Sequence, residues 1–307
     1  TKEGIERACM EENEKKYRQT QNTPCMKEPL LSDLGYLGTT EECEQILRGT
    51  YQPPQGTNKY TRELLQHMQR LPLKYPPPKA GITTQMFKEG WKKIKEDTSA
   101  ASISGINFSH MKASAHDEFL TEFESAMANL PYATGFSPAQ WKKGITLMIR
   151  KKANVDLVTK LRTIVLTEAD FNYCNKVLGK TTLEHAERNN LLPKEQYGSR
   201  KSHNSIDHAV HKRLAYDIMR QSRRPGALCS NDAKSCFDRV VHSIAMLAYK
   251  RLGIEEPPVK CMLETIQNMK HHIRTNYGDS VFTMTSSGTL VPYQGILQGN
   301  GASPATW

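Results

Sequence analysis

Apolar positions recur at two periods along this chain. From residue 1 to about 70 the sequence is polar and helix-friendly, broken at Pro24, Pro53 and Pro54, and Thr61–Arg70 reads as a helix ending before Leu71-Pro72. Tyr75-Pro76-Pro77-Pro78-Lys79 is a stiff polyproline stretch and marks a linker. Helices are expected over Thr84–Glu96 and over Ala115–Ala128, the second with Phe119, Phe123 and Met127 at helical spacing. From Gly144 onward strands enter. Gly144–Ile149 is apolar, Lys151–Lys160 is a polar turn and Leu161–Leu166 is β-branched, which together predict a β-hairpin. A helix is expected over Ser205–Ile218 and a short strand over Gly226–Asp232. Val240, Val241, Ile244, Leu247, Ala248 and Leu252 mark an amphipathic helix, with Asp238 placed to cap it and Gly253 just past its end. Pro257 and Pro258 open a helix to about Met269, and Ile273–Tyr277, Val281–Thr285 and Thr289–Tyr293 read as strands joined by tight turns.

With 307 residues, 37% of them hydrophobic, the chain can build two ordinary domains or one multi-lobed unit. No run approaches the ~18 apolar residues of a membrane span and the mean hydropathy is −0.62, so no transmembrane helix is predicted. The 7 cysteines are odd in number, widely spaced and never in C-x-x-C. That pattern argues against a disulfide framework or zinc knuckle and predicts an intracellular, reducing location, with nucleus and cytoplasm unresolved. The chain opens on Thr without an apolar signal core and ends at Trp307 in what reads as a first helical turn, as expected of a piece of a longer protein. Net charge is +10, unevenly spread: residues 1–50 carry 7 Lys/Arg against 10 Asp/Glu, 141–162 carry 7 against 1, and 194–224 carry 8 against 3. A basic middle suits a polyanionic partner, or is a solvated face.

Chemistry concentrates in a few short segments. Asn231-Asp232 through Phe237-Asp238 places a carboxylate at a strand-to-helix junction with an aromatic five residues on. Such an Asp offers hard oxygen to Mg²⁺ and the aromatic can pack against a nucleotide sugar; the same residues would also serve as capping aspartates and a core Phe. Gln298-Gly299 through Ser303-Pro304 gives Q-G-x3-S-P leading into a helix, suited to close backbone approach or simply to a glycine turn. Ile149-Arg150-Lys151-Lys152 and Leu161-Arg162-Thr163-Ile164 place cations on both arms of the hairpin, able to clamp a triphosphate or merely to be solvated. Gln196-Tyr197-Gly198-Ser199-Arg200-Lys201-Ser202 is a polar turn that contacts a nucleic-acid backbone or caps the following helix.

The order of these segments resembles a reverse transcriptase of the non-LTR, LINE-like retroelement class over about residues 80–307. The hairpin is similar to the family's I-P-K and R-P-I fingers motif, residues 196–202 to Q-x-G-F-R-x-G, Asp232–Asp238 to motif A (D-x4-F-D) and Gln298–Pro304 to motif B. The resemblance implies an α+β fold of the right-hand polymerase type, truncated, with fingers and partial palm at 82–307 behind a linker at 76–81 and a polar, acidic helical extension at 1–75. It implies RNA-directed DNA polymerase activity with RNA template, DNA primer, dNTPs and Mg²⁺ or Mn²⁺, without a membrane and with no indication of oligomeric state. By the same resemblance Asp232 is the catalytic metal ligand and Phe237 the gate against a ribose 2′-hydroxyl. Lys151 and Arg162 contact the triphosphate, Gln298 and Gly299 hold the templating pair, and Lys152, Arg200 and Lys201 contact nucleic acid. Asp238 matches the second motif A aspartate. Three positions depart from the pattern: Arg150 and Thr163 replace the prolines of the fingers motif, and Ser199 replaces the Phe of G-F-R. The family's motif C, an aromatic-x-Asp-Asp, has no counterpart, since the chain contains no Asp-Asp; this chain alone is therefore expected to be inactive. The alternative is a non-catalytic, maturase-like RNA-binding derivative.

Overall fold

The computed structural model describes residues 1–94 and 102–307. The polar N-terminal region folds as helices: α1 (Lys2–Tyr17), α2 (Leu30–Leu34), α3 (Glu41–Arg48) and α4 (Lys59–Gln66). The hydroxyls of Thr1 and Thr40 and the Asn58 carboxamide cap α1, α3 and α4 by accepting from the first-turn amides of Gly4, Cys43 and Thr61. Leu34, Cys43, Ile46, Leu47, Leu65 and Met68 form a small core of their own. They are joined there by Leu247 from a much later helix, which ties the N-terminal helices to the rest.

Next come α5 (Thr84–Lys92), α6 (Phe108–Ser114) and α7 (Glu118–Thr134). Residues 95 and 96, at the end of the helix expected over Thr84–Glu96, lie outside the described residues. The helix expected over Ala115–Ala128 starts instead at Asp117, whose carboxylate accepts from Leu120 N at 2.8 Å. Its faces are exchanged relative to the apolar spacing: Phe119, Phe123 and Met127 are 75%, 54% and 54% exposed, whereas Thr121, Ser125, Ala128 and Tyr132 are buried. Small residues on the inner face let α7 pack close to its neighbours, so the bulky ones turn outward.

The predicted hairpin forms as β1 (Lys143–Arg150) and β2 (Leu161–Leu166), antiparallel, with Ile149 opposite Arg162 and Met148 opposite Thr163. After α8 (Ala169–Arg188), α9 (Ser205–Gln221), α10 (His242–Arg251) and α11 (Glu256–Gln267), β3 (Lys270–Thr275) returns parallel to β1, followed by β4 (Gly278–Asp279) and α12 (Ser303–Thr306). The sheet order is β2-β1-β3-β4. Of the later expected strands, 281–285 contributes only the bridge Met284 to His271, and 289–293 is irregular. The main core lies between sheet and helices, where Trp91 stacks on Tyr173 at 5.0 Å and Phe87, Phe171, Met246 and Met262 are fully buried.

Two local expectations are corrected. Gly226–Asp232 is not a strand: residues 225–234 are exposed throughout, and no backbone amide from 226 to 234 donates a hydrogen bond. A strand exists only through pairing, and here none of the four strands lies alongside. Asp238 does not cap α10; it is buried in a 3₁₀ turn, Phe237–Arg239, and the helix starts after Val241 without a side-chain cap. The proline-rich stretch is packed on its flanks: Leu71 N donates to Arg251 O at 3.0 Å and Tyr75 N to the Asn189 carboxamide at 2.9 Å.

Candidate nucleotide site

The free edge of β2 carries the Q-G-x3-S-P loop. Val165 N donates to Gln298 O at 3.0 Å. Gly299 adopts φ +112°, and a Cβ there would stand 2.9 Å from Val165 O, so only glycine fits. Asn172 on α8 brackets the loop, donating to Gly299 O at 3.2 Å and accepting from Gly301 N at 2.9 Å. Ser303 Oγ bonds Leu297 O at 2.9 Å and closes the loop from the far side. Gln298 Oε1 is buried with no protein partner, an acceptor left over after the loop's own bonds are made.

The Phe237–Asp238 turn locks onto the start of the same loop. Ile296 N donates to Phe237 O at 3.0 Å, and Gly295 N to Val240 O at 2.9 Å. Gly295, at φ +91°, passes so close that a Cβ would meet Phe237 O at 2.9 Å. Behind it His242 is fully buried: Nε2 donates to Gly295 O at 2.6 Å while Nδ1 accepts from the Gln267 carboxamide at 3.0 Å. Those partners select the neutral ring, and burial pushes its pKa down to about 4.

The structure therefore brings Phe237, Gln298, Gly299 and the hairpin strand of Arg162 into one corner. Lys151, Lys152 and Arg162 are solvent-exposed on the hairpin, and Phe237 is half-buried. Burial raises the Asp238 carboxyl pKa, opposed by Lys16, Lys151 and Arg239. Asp232, expected at the end of a strand, instead sits in the exposed stretch before the turn. Arg200 and Lys201 lie elsewhere, on a cleft of about 800 Å³ between α8 and the Q-G-x3-S-P loop, together with Lys176, Lys180 and Arg188. The Arg200 guanidinium is forked onto Glu187 at 2.6 and 2.9 Å, so much of its donor capacity is used within the protein. Lys201 is exposed.

Sequence reading missed the contribution of α1. Asn13, Lys16 and Tyr17 reach the corner, and Thr163, the departure from the fingers pattern, uses its hydroxyl to donate to Asn13 Oδ1 at 2.7 Å while accepting from Lys16 Nζ at 3.1 Å. The signal was the helical spacing of Glu6, Cys9, Asn13 and Tyr17, the buried face of α1, hidden because two of the four are polar.

Among the described residues no three His, Cys, Asp or Glu side chains converge to hold a metal ion. Asp232 is a single exposed carboxylate, so these residues do not by themselves build a divalent-metal cage. No described helix is long and apolar enough to cross a membrane. No curated protein matches the chain. Residues 149–307, from the end of β1 through the Q-G-x3-S-P loop, match the family described as reverse transcriptase (RNA-dependent DNA polymerase). Reverse transcriptases in general bind an RNA template, a DNA primer and dNTPs and depend on divalent metal. The match spans a little over half of the sequence and contains β2, the Phe237 turn and the loop that the fold joins, and by it the chain belongs to the reverse transcriptase family.

Proposed function

We propose that the chain is the fingers and partial palm of an RNA-directed DNA polymerase of the non-LTR, LINE-like class, extending a primer on an RNA template with dNTPs. The observation that carries this reading is the joining of hairpin, Phe237 turn and Q-G-x3-S-P loop through Val165–Gln298 and Ile296–Phe237 within the family match. In this reading Lys151 and Arg162 bind the triphosphate, offsetting charge as the leaving group departs. Phe237 sets the sugar specificity, and Gln298 with Gly299 supports the templating pair. Lys152 and Lys201 add phosphate contacts. Asp232 is the chain's motif A carboxylate, and the remaining carboxylates come from an aromatic-x-Asp-Asp segment that this sequence does not contain. The chain by itself is accordingly inactive.

The test is primer extension with Mg²⁺ or Mn²⁺ by this chain, by a longer chain bearing that segment and by the longer chain with Asp232→Asn, each checked for folding by circular dichroism. Extension is expected only from the second. Primer-template binding by the present chain should weaken linearly in log K against log salt, and Glu at positions 151, 152 and 162 should flatten that slope by about one unit per lost phosphate contact. Extension by the short chain would remove the metal-site reading, and a flat salt response the electrostatic one.

A further inference from the structure

The Q-G-x3-S-P loop is held by one continuous segment that runs from the end of β2 into the first turn of α8. On one side Val165 N donates to Gln298 O at 3.0 Å; on the other the Asn172 carboxamide donates to Gly299 O at 3.2 Å and accepts from Gly301 N at 2.9 Å. Those partners fix the carboxamide's orientation, because a carbonyl can meet only its Nδ2 and an amide only its Oδ1. Between α8 and the loop the backbones themselves touch. A Cβ on Gly179 would stand 3.0 Å from Ala302 Cα, and one on Gly301 would stand 2.7 Å from Lys176 N.

The two surfaces in contact differ in how they are supported. On α8, Phe171, Cys174 and Leu178 are buried in the main core, Tyr173 stacks on Trp91, and the Tyr173 hydroxyl donates to Met86 O at 2.7 Å. The loop is strained, with Leu297 held at φ +51°, a conformation costly for any residue with a Cβ. Gly299 is exposed, and its amide donates to no group among the described residues. Because Gln298 O points at β2 and the peptide is trans, that N–H points away from the strand.

We propose that Asn172 is a positioning residue: its carboxamide pins the Gly299–Asn300–Gly301 backbone to the rigid bed of α8 and so keeps the unbonded Gly299 amide turned outward, toward a ligand in this corner. For the ligand the proposal rests on the polymerase reading; the bracket itself rests on the bonds above.

Residue-resolved amide exchange, followed by NMR on the full chain, tests the bracket. Asn172→Ala removes both bonds and should accelerate exchange at Gly301 and Asn300 roughly tenfold, while Val165 stays within about threefold and Val177 and Leu178, inside α8, do not change. Asn172→Asp divides the two bonds: a carboxylate still accepts from Gly301 N but cannot donate to Gly299 O. It should therefore spare Gly301 and accelerate Asn300, whose amide belongs to the peptide that bears Gly299 O. Unchanged exchange at Gly301 in Asn172→Ala overturns the bracket. Should that variant also loosen α8, Asn172→Asp decides, since a protected Gly301 supports the bracket and an accelerated one refutes it. Primer-template binding examines the ligand separately. Asn172→Ala should weaken it about three- to tenfold with the salt slope unchanged, because no cation has been removed. Faster loop exchange with undiminished primer-template binding keeps the bracket and discards the loop's part in holding the templating pair.

Discussion

The hairpin and the segment before Phe237 both carry residues assigned to one site, yet they are built in opposite ways. β1 is paired on both edges, by β2 and β3, and β2 is covered at its outer edge by the Gln298 loop and on one face by α1. Residues 226–234 have no strand beside them, make no backbone hydrogen bond as donors and are almost wholly exposed. The hairpin that carries Lys151 and Arg162 is thus braced by the fold, while the segment that carries Asp232 is exposed and unpaired. Backbone that lacks a ladder gains nothing from strand geometry and loses conformational entropy by adopting it.

The contrast breaks most completely in acid. His242 and His271 are buried as neutral rings, with pKa values pushed down by burial to about 4 and about 3. The unfolded chain takes up both protons near 6.5, so it binds more protons than the fold below that pH. Stability is then full above 6.5 and falls as pH drops toward 4 for His242 and 3 for His271. At 1.36 kcal/mol per unit the two are worth roughly 5–8 kcal/mol, comparable with the whole stability of a domain. Buried Asp170 and Asp238 act in the opposite sense, holding protons in the fold at pH values near and above 3.8 where the unfolded chain has lost them. Urea midpoints should accordingly fall steeply between pH 6.5 and 4.5, and His242→Gln should reduce the slope. A midpoint independent of pH over that range would show that the rings are not held neutral.

Next in size is packing. Ile145 is fully buried at the centre of the sheet, and Ile145→Ala should cost about 2–5 kcal/mol in denaturant unfolding. Leu228, in the open segment and 40% exposed, should cost less than about 0.5 kcal/mol when cut to Ala. Equal losses at the two positions would mean that the segment is packed in solution.

The halves of this comparison were unequally legible. The hairpin could be read because β-branched residues, a polar turn and charged outer positions all agree, and the 256–267 helix because Pro257 and Pro258 sit where a helix can begin. The segment at Asp232 was misread because Ala227, Leu228 and Cys229 look like a strand, and local composition cannot supply the neighbour that a strand needs. Asp238 was misread as a cap because a carboxylate before a helix has the same spacing whether it faces the helix amides or, as here, the interior. The role of α1 was lost to distance: some 147 residues separate Lys16 from Thr163, and no periodicity reports such a contact.

Gly295 sharpens the boundary between the two regions. Its φ is +91°, and an added Cβ would stand only 2.9 Å from Phe237 O, so Gly295→Ala must strain the backbone or part the turn from the loop, at about 1–3 kcal/mol. The turn should suffer first. Amide exchange of Ile296, which donates to Phe237 O, is expected to accelerate more than that of Val165, which donates to Gln298 O on the braced side. Equal acceleration of both would indicate that loop and hairpin open as one unit.

The smallest expected effect is at the residue with the largest assigned role. Asp232 is exposed, makes no ion pair and lies in a stretch without amide hydrogen bonds, so the folded state gives its carboxylate nothing that water does not. Asp232→Asn should therefore leave the denaturant midpoint of this chain within about 0.5 kcal/mol of the parent, measured by circular dichroism at neutral pH. Removing a carboxylate that lies in a positive field would be destabilising, whereas removing one crowded by other acids would be stabilising, so either departure would reveal charged neighbours. Unchanged stability combined with lost extension in a longer active chain would assign Asp232 to chemistry alone, the pattern expected of a ligand whose site is completed by residues elsewhere. A stability change beyond about 1 kcal/mol would instead show that the segment is structured and that the open half of the comparison is closed in solution.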